Sequence, residues 1–585
     1  MAPTSSIHSA STTEAALRGA ALVHDAFDDY NARYSDITRR ARRRFERRDW
    51  RLAQADAVAR IDLSDACLKE TLHRLEALLE ERLRSRPLWA AIRQAYAERI
   101  AALPDRELHQ TFFNSLSRRF FLTSGVVLGL EFHALDIEPS GDPACPGELV
   151  RYPRQDDPAA LWRRVLEEHR FANGYADLAG SATALAHSVR QRLDAVGDVP
   201  GDVELLRTPF HRERRAYLVG RVHGARQPWP LVVALVSGAD GVRADALLTD
   251  ARQLSTLFGF ARSYFHADLA RVGDTVAFLQ TLLPHKPLDE LYTVVGRAKH
   301  GKTERYRRVF RHLAEHPDEQ LVRADGERGM VMSVFTPRDY PVVFKLIRDR
   351  FAYPKDSVRR QVEEKYRLVF RRDRVGRLVD AQEFHRLRFP LRQVAPDVLD
   401  ELLRECAETV ALDGDELVVK HCYVERRVRP LDLYARESDP EAALRAVLDY
   451  GQAIKDLARS NIFPGDLLLK NFGVSGSRRA LFYDYDELCL LEQCHFRAVP
   501  PVREEDETRP LDEWLYAARD DVFPELFPQF LGLPATLRDA LCREHGEIFD
   551  PAWWRETQAR LRSGEYLDVP PYPDSARLPE RPRTA

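Results

Sequence analysis

Between Thr4 and Arg86 the chain contains no proline, and its apolar residues return at helical spacing: Leu22, Ala26, Phe27, Tyr30, Tyr34 and Ile37, then Leu68, Leu72, Leu75 and Leu79. Such a stripe must be buried against another element, so the pattern predicts long amphipathic helices. Helical stretches at Pro158 to Arg170 and Ala182 to Leu193 then mix with apolar runs of strand length at 217–222 and 231–236. A further helical segment, Leu288 through Arg311, ends before His316-Pro317-Asp318, where the pattern changes to short strands. This sets a boundary near 315–320 and makes 14–318 an α-rich domain with a small sheet. The Ser/Thr-rich start, residues 1–13, reads as disordered, and residues 566–585, with five prolines, read as an extended tail.

Residues 319–565 carry the second domain. Leu321–Ala324 and Met330–Phe335 read as strands around the turn Asp325-Gly326-Glu327-Arg328-Gly329. Glycines there let backbone amides approach a phosphate chain without interference from Cβ, although two glycines alone more often mark an ordinary hairpin. The next strand, Val342-Val343-Phe344-Lys345-Leu346-Ile347, holds a lysine in an apolar run. Only ten lysines occur against 78 arginines, so this one stands out, and a buried strand charge needs a partner. Glu363 and Glu364 lie in a following helical stretch, and Glu364 is the preferred partner. Glu416 to Glu425 reads as a strand entering a linker, and Ala442 to Ala458 as a helix before a loop.

That loop is Pro464-Gly465-Asp466-Leu467-Leu468-Leu469-Lys470-Asn471, followed after a strand by Phe482-Tyr483-Asp484-Tyr485-Asp486-Glu487. Asp466 and Asn471 are five positions apart, and Asp484 follows thirteen later. Phosphoryl transfer needs one carboxylate to orient the attacking hydroxyl and an Asn oxygen with a second carboxylate to hold Mg²⁺ on the phosphates. The ordered set of glycine turn, strand lysine, helix glutamate, linker, Asp-x₄-Asn and Asp predicts a bilobal ATP-dependent phosphotransferase. The fold class is therefore α+β, an α-rich N-terminal domain followed by a protein-kinase-like domain.

Composition narrows the partners. The chain has 585 residues, 44% of them apolar and 31% charged, with a net charge of -3, so no global field draws it to nucleic acid or membrane. The basic run Arg39 to Arg48 reads as a solvated helix face. No stretch approaches a membrane span or a secretory signal, and seven scattered cysteines without a C-x-x-C pair fit a reducing, cytoplasmic compartment. Cys489, Cys494 and His495 lack the second pair that a structural zinc site needs.

The wording of four segments goes further. Ala324-Asp325-Gly326 with Gly329-Met330-Val331-Met332, Asp373-Arg374-Val375-Gly376-Arg377 with Asp380 and Gln382-Glu383-Phe384, Asn461 to Val474, and Phe482 to Glu487 closely resemble bacterial isocitrate dehydrogenase kinase/phosphatases. The resemblance covers essentially the whole chain. It implies a regulatory domain joined to a kinase-like domain that phosphorylates a serine of isocitrate dehydrogenase, removes that phosphate, and so switches carbon between the tricarboxylic acid cycle and the glyoxylate bypass. It implies ATP/ADP, Mg²⁺ with Mn²⁺ as an alternative, and AMP as an effector. By position, Ala324, Asp325, Gly326, Glu327, Arg328, Gly329, Met330 and Lys345 then bind ATP, Asp466 is the kinase base, and Asn471 and Asp484 hold metal. Asp380 matches the aspartate associated with phosphatase activity; alone it reads as a loop carboxylate.

The chain departs from ordinary protein kinases in Pro464-Gly465 before the base, in Lys470 four residues after it, and in Asp484-Tyr485-Asp486 replacing aspartate-phenylalanine-glycine. Asp486 is thus a candidate further metal ligand or water-positioning group beside Asp380. Competing readings are a small-molecule kinase of the aminoglycoside type, disfavoured by the large first domain, and a nucleotide-binding pseudokinase, disfavoured by retention of the base. The oligomeric state stays open, a homodimer included.

Overall fold

A computed structural model describes residues 4–123, 127, 129–139, 141–144, 149–259, 265–353, 355, 357–501, 515, 517–518 and 520–579. The chain forms two compact units: residues up to Gly259, 265–315 and the segment from Tyr572 make the first, and His316–Pro571 the second.

In the first unit α1 (Thr4–Arg47), α2 (Trp50–Leu79), α3 (Arg86–Ile100) and α4 (Arg106–Phe121) supply the long amphipathic helices. Helix α1 runs Thr4–Arg47, and residues 1–3 of the start expected to be disordered, 1–13, lie outside the described residues. Its basic run is matched by carboxylates, Arg40 with Asp36, Arg42 with Glu46 and Arg44 with Asp56. The unit then adds β1 (Leu149–Tyr152), α5 (Pro158–Glu168), α6 (Leu178–Asp194), β2 (Pro200–Leu206), β3 (Phe210–Arg212), β4 (Arg215–Gly224), β5 (Pro228–Ser237) and β6 (Val242–Leu248). The antiparallel sheet runs β1-β2-β4-β5-β6, with β3 on β4. Both of its faces are covered: Leu218, Leu231 and Val233 join one core, Tyr217, Val219, Val232 and Ala234 the other. That explains why β5 reads as an unbroken apolar run.

Four helices follow, α7 (Ala251–Leu257), α8 (Val272–Leu282), α9 (Leu288–Val294) and α10 (Ala298–Glu315). The helical segment anticipated from Leu288 is broken by Gly296, whose φ of +91° favours glycine and at which a Cβ would meet the Tyr34 hydroxyl. The proline-rich end is packed, with Tyr572 and Ala576 buried in the first unit's core and the Tyr572 hydroxyl bonded to Asp245 at 2.5 Å. Among the described residues no helix is long and apolar enough to cross a membrane.

The second unit starts with β7 (Leu321–Arg323), β8 (Met332–Pro337), β9 (Val342–Ile347), α11 (Arg359–Arg372), β10 (Ala381–Pro390), α12 (Pro396–Glu405), β11 (Val410–Asp413) and β12 (Glu416–Arg426). Its antiparallel sheet runs β10-β12-β9-β8-β7, with β11 also on β12. The two halves of β12 thus have different neighbours, β11 at 416–419 and β9 at 423–426. Helix α11 buries Val362, Tyr366 and Val369, and the Tyr366 ring stacks on Tyr423 of β12 with centroids 3.7 Å apart. The lower lobe is built on α13 (Leu431–Glu437) and α14 (Pro440–Arg459), the latter with Val447, Tyr450, Ile454 and Leu457 buried.

One ion-pair cluster ties this lobe together. Arg377, 2% exposed, donates to Asp449 at 2.8 and 2.9 Å and to Asp456 at 2.8 Å on α14, and to the Ala480 carbonyl at 3.2 Å. Burial disfavours its charge, and the two carboxylates more than restore it. Removing the cation leaves two carboxylates without their counter-charge. Arg377→Met is expected to destabilise the second unit by about 3–5 kcal/mol, read as a lower urea midpoint for its tryptophan fluorescence; a shift no larger than that of an exposed arginine variant would refute this.

Candidate active site

The turn between β7 and β8 forms the roof of a cavity of about 470 Å³, a size suited to a small-molecule ligand. Ala324 to Gly329 and Lys345 line it, together with Glu425 to Pro430 at the end of β12 and Tyr483 from the lower lobe. Polar side chains fix the turn: Asp325 accepts from Arg429 at 2.5 Å, Glu327 from Lys470 at 2.8 Å, and Arg328 pairs with Glu405. Met330 does not line the cavity and is 39% exposed.

Lys345 is buried, as a charge in an apolar strand must be when a partner exists. Its Nζ lies 2.8 Å from Glu425 Oε2 and donates to the Tyr483 carbonyl at 2.7 Å. The helix glutamates are elsewhere: Glu364 pairs with Arg360, and Glu363 with Arg367, both along α11. The expectation of Glu364 is therefore corrected to Glu425. Register is the cause. Lys345 is paired with Tyr423, so Glu425, two residues on, is its diagonal neighbour on the same sheet face.

Below the cavity, Gly465 takes φ +86°, and a Cβ would come within 2.6 Å of Glu487, so only glycine allows the loop to approach that closely. Asp466 accepts from the Leu468 amide at 2.8 Å and from the Asn471 side chain, while burial raises its pKa. Asn471 is itself buried. Lys470 carries the charge fields of Glu327, Asp466 and Asp484 together. Asp484 is pushed up to about 7 by burial and by the charge of Asp486, against the opposing pull of Lys345 and Lys355. Asp486 lies 3.1 Å from Lys355 Nζ, which also binds Glu487. Tyr485 is buried and its hydroxyl donates to the Val379 carbonyl at 2.5 Å.

Asp380 joins this group through the backbone. Leu378 bridges Phe482 in parallel and the Val379 amide donates to the Phe482 carbonyl at 3.0 Å. Asp380 and Asp484 thus each follow that pairing by two residues, and Gln382 donates to Asp380 at 3.3 Å. The expected residues accordingly form two groups, the turn with Lys345, and Asp380 with Asp466, Asn471, Asp484 and Asp486. Glu425 and Lys355 were missed. Lysine scarcity marks Lys355, but nothing local singles out Glu425.

The second group suits a divalent cation. The charge of Asp486 raises the cost of ionising Asp484, which a cation between them would relieve, and their oxygens with that of Asn471 are the hard donors that Mg²⁺ and Mn²⁺ prefer. A two-lobed fold with a glycine turn, a clamped lysine and this oxygen set defines a kinase-like phosphotransferase, which uses ATP with a divalent metal. Family models agree. The one described as isocitrate dehydrogenase kinase/phosphatase (AceK) kinase domain matches residues 319–574, and the one for the regulatory domain of the same family matches 20–318. The chain is 52% identical to the isocitrate dehydrogenase kinase/phosphatase of Xanthomonas euvesicatoria pv. vesicatoria (strain 85-10) over 567 residues, 96% of this chain and 98% of that protein. It is 46% identical to the protein of that name from Anaeromyxobacter sp. (strain Fw109-5) over 571 residues, 97% and 99% of the two chains. The chain belongs to the isocitrate dehydrogenase kinase/phosphatase family.

The corrected pairing separates two variants. Glu425→Gln should weaken ATP binding about tenfold or more, since a charge-assisted bond contributes about 1.5–3 kcal/mol. Glu364→Gln should change it by less than about 0.5 kcal/mol, as for an exposed site. Calorimetric titration with a non-hydrolysable ATP analogue checks both, and the reverse order would restore the helix glutamate.

Proposed function

We propose that this protein transfers the γ-phosphoryl group of ATP to a serine of isocitrate dehydrogenase, inactivating it, and hydrolyses the same phosphoserine, reactivating it. On this reading it switches carbon between the tricarboxylic acid cycle and the glyoxylate bypass, with Mg²⁺ as the cation and AMP as an effector. The observation that carries it is the buried Lys345–Glu425 pair in a cavity that Tyr483 also lines, with Asp484, the next residue, within the electrostatic reach of Lys345, in a chain of this family.

The roles follow from the chemistry. Lys345, held by Glu425, neutralises the phosphates, and the turn amides cradle them. Asp466 orients the serine hydroxyl and takes its proton, its carboxylate held in place by the Leu468 amide and the Asn471 side chain. Asn471, Asp484 and Asp486 hold the cation, which, when bound, offsets charge on the transferring group. In the reverse direction Asp380 orients the water that attacks the phosphoserine, its position beside Asp484 supporting the use of one site for both activities.

The test incubates the protein with isocitrate dehydrogenase, Mg²⁺ and γ-labelled ATP, then chases with ADP. Wild type should label the dehydrogenase and release the label during the chase. Asp466→Ala should slow labelling by about 10²–10⁴-fold. Asp380→Asn should label normally but retain the phosphate. No label with wild type would overturn the protein-substrate reading, and normal release by a folded Asp380→Asn would remove Asp380 from the hydrolytic step.

A further inference from the structure

A second set of metal-ligating side chains lies on the upper sheet, away from the carboxylates of the lower lobe. His385 of β10 stands directly opposite His421 of β12, and Glu383 is two residues before His385 on the same face. Both imidazole Nε2 atoms point at one oxygen, Glu383 Oε1, at 2.9 Å from His421 and 3.4 Å from His385. The three ligand atoms all lie within 4.8 Å of one another.

We propose that Glu383, His385 and His421 bind a divalent transition-metal ion of the Zn²⁺ class. Zinc bonded to nitrogen and oxygen at about 2.0–2.1 Å in tetrahedral geometry has its ligands about 3.3 Å apart, close to the separations already present. Two imidazoles favour Zn²⁺, Ni²⁺ or Cu²⁺ over the Mg²⁺ that an all-oxygen group selects. The frame is fixed, because Phe384, Leu387, Cys422 and Tyr423 are buried on either side of the ligands. On α11, Arg367 is engaged by Glu363 and Arg360 by Glu364. Exposure of Glu383 and His385 leaves a coordination position to solvent. Along the two strands the ligands lead to Asp380, just before β10, and to Glu425, so an ion here cross-links the strands that carry both.

The experiment titrates the tag-free, metal-stripped full chain with Co²⁺ in excess Mg²⁺ and records the visible d–d absorption, then displaces Co²⁺ with Zn²⁺. Wild type should show one equivalent with a tetrahedral-type spectrum. His385→Ala and His421→Ala, folded by circular dichroism and binding the ATP analogue normally, should each lose that spectrum and at least about tenfold in Zn²⁺ affinity. No Co²⁺ band in wild type, or an unchanged band in both variants, overturns the site and leaves the three residues as a hydrogen-bonded triad only.

Discussion

The buried pair between Lys345 and Glu425 is the constraint on which the upper half of the catalytic unit depends. Both charges have left water, and each is tolerable only because the other is 2.8 Å away. The pair holds only in one strand register, with Lys345 across from Tyr423. A slip of one residue would turn one charge to the opposite face, so the pair and the sheet specify each other. The cavity roof is positioned by that same sheet, through β8 on β9.

The same face of β12 also sets the lower lobe. Tyr423 stacks on Tyr366 of α11, and Tyr366 meets Tyr485 edge-on with centroids 5.1 Å apart. Tyr485 separates Asp484 from Asp486, and its hydroxyl reaches the Val379 carbonyl next to Asp380. One aromatic column therefore runs from the sheet to the backbone that carries three carboxylates. Arg377, three residues before Asp380, locks that backbone to α14. The tyrosine in place of phenylalanine has a physical purpose here: its hydroxyl fixes the Asp380 segment, which an ordinary kinase lacks.

What was legible in the sequence is what depends on local pattern. Strand β9 was readable from its apolar run, helix α14 from its spacing, and the Asp466–Asn471–Asp484 group from intervals along the chain. Glu425 was not, because its meeting with Lys345 comes from pairing between strands eighty residues apart, and register leaves no mark in one-dimensional spacing. Glu364 had a suitable separation and a helical setting, yet lies on the solvent side of α11, paired with Arg360.

The location of the lysine partner changes how this site can be controlled. In protein kinases the lysine pairs with a glutamate on the helix after it, so movement of that helix makes or breaks the pair. Here both partners lie on adjacent strands of one sheet, and displacement of α11 leaves them together. What α11 does touch is the aromatic column, through Tyr366, and thereby Tyr485 between the two metal-type aspartates. A shift of α11 in this fold acts on the carboxylates while the Lys345–Glu425 pair stays in place. That separation suits a site in which nucleotide is retained while the chemistry at the carboxylates changes direction.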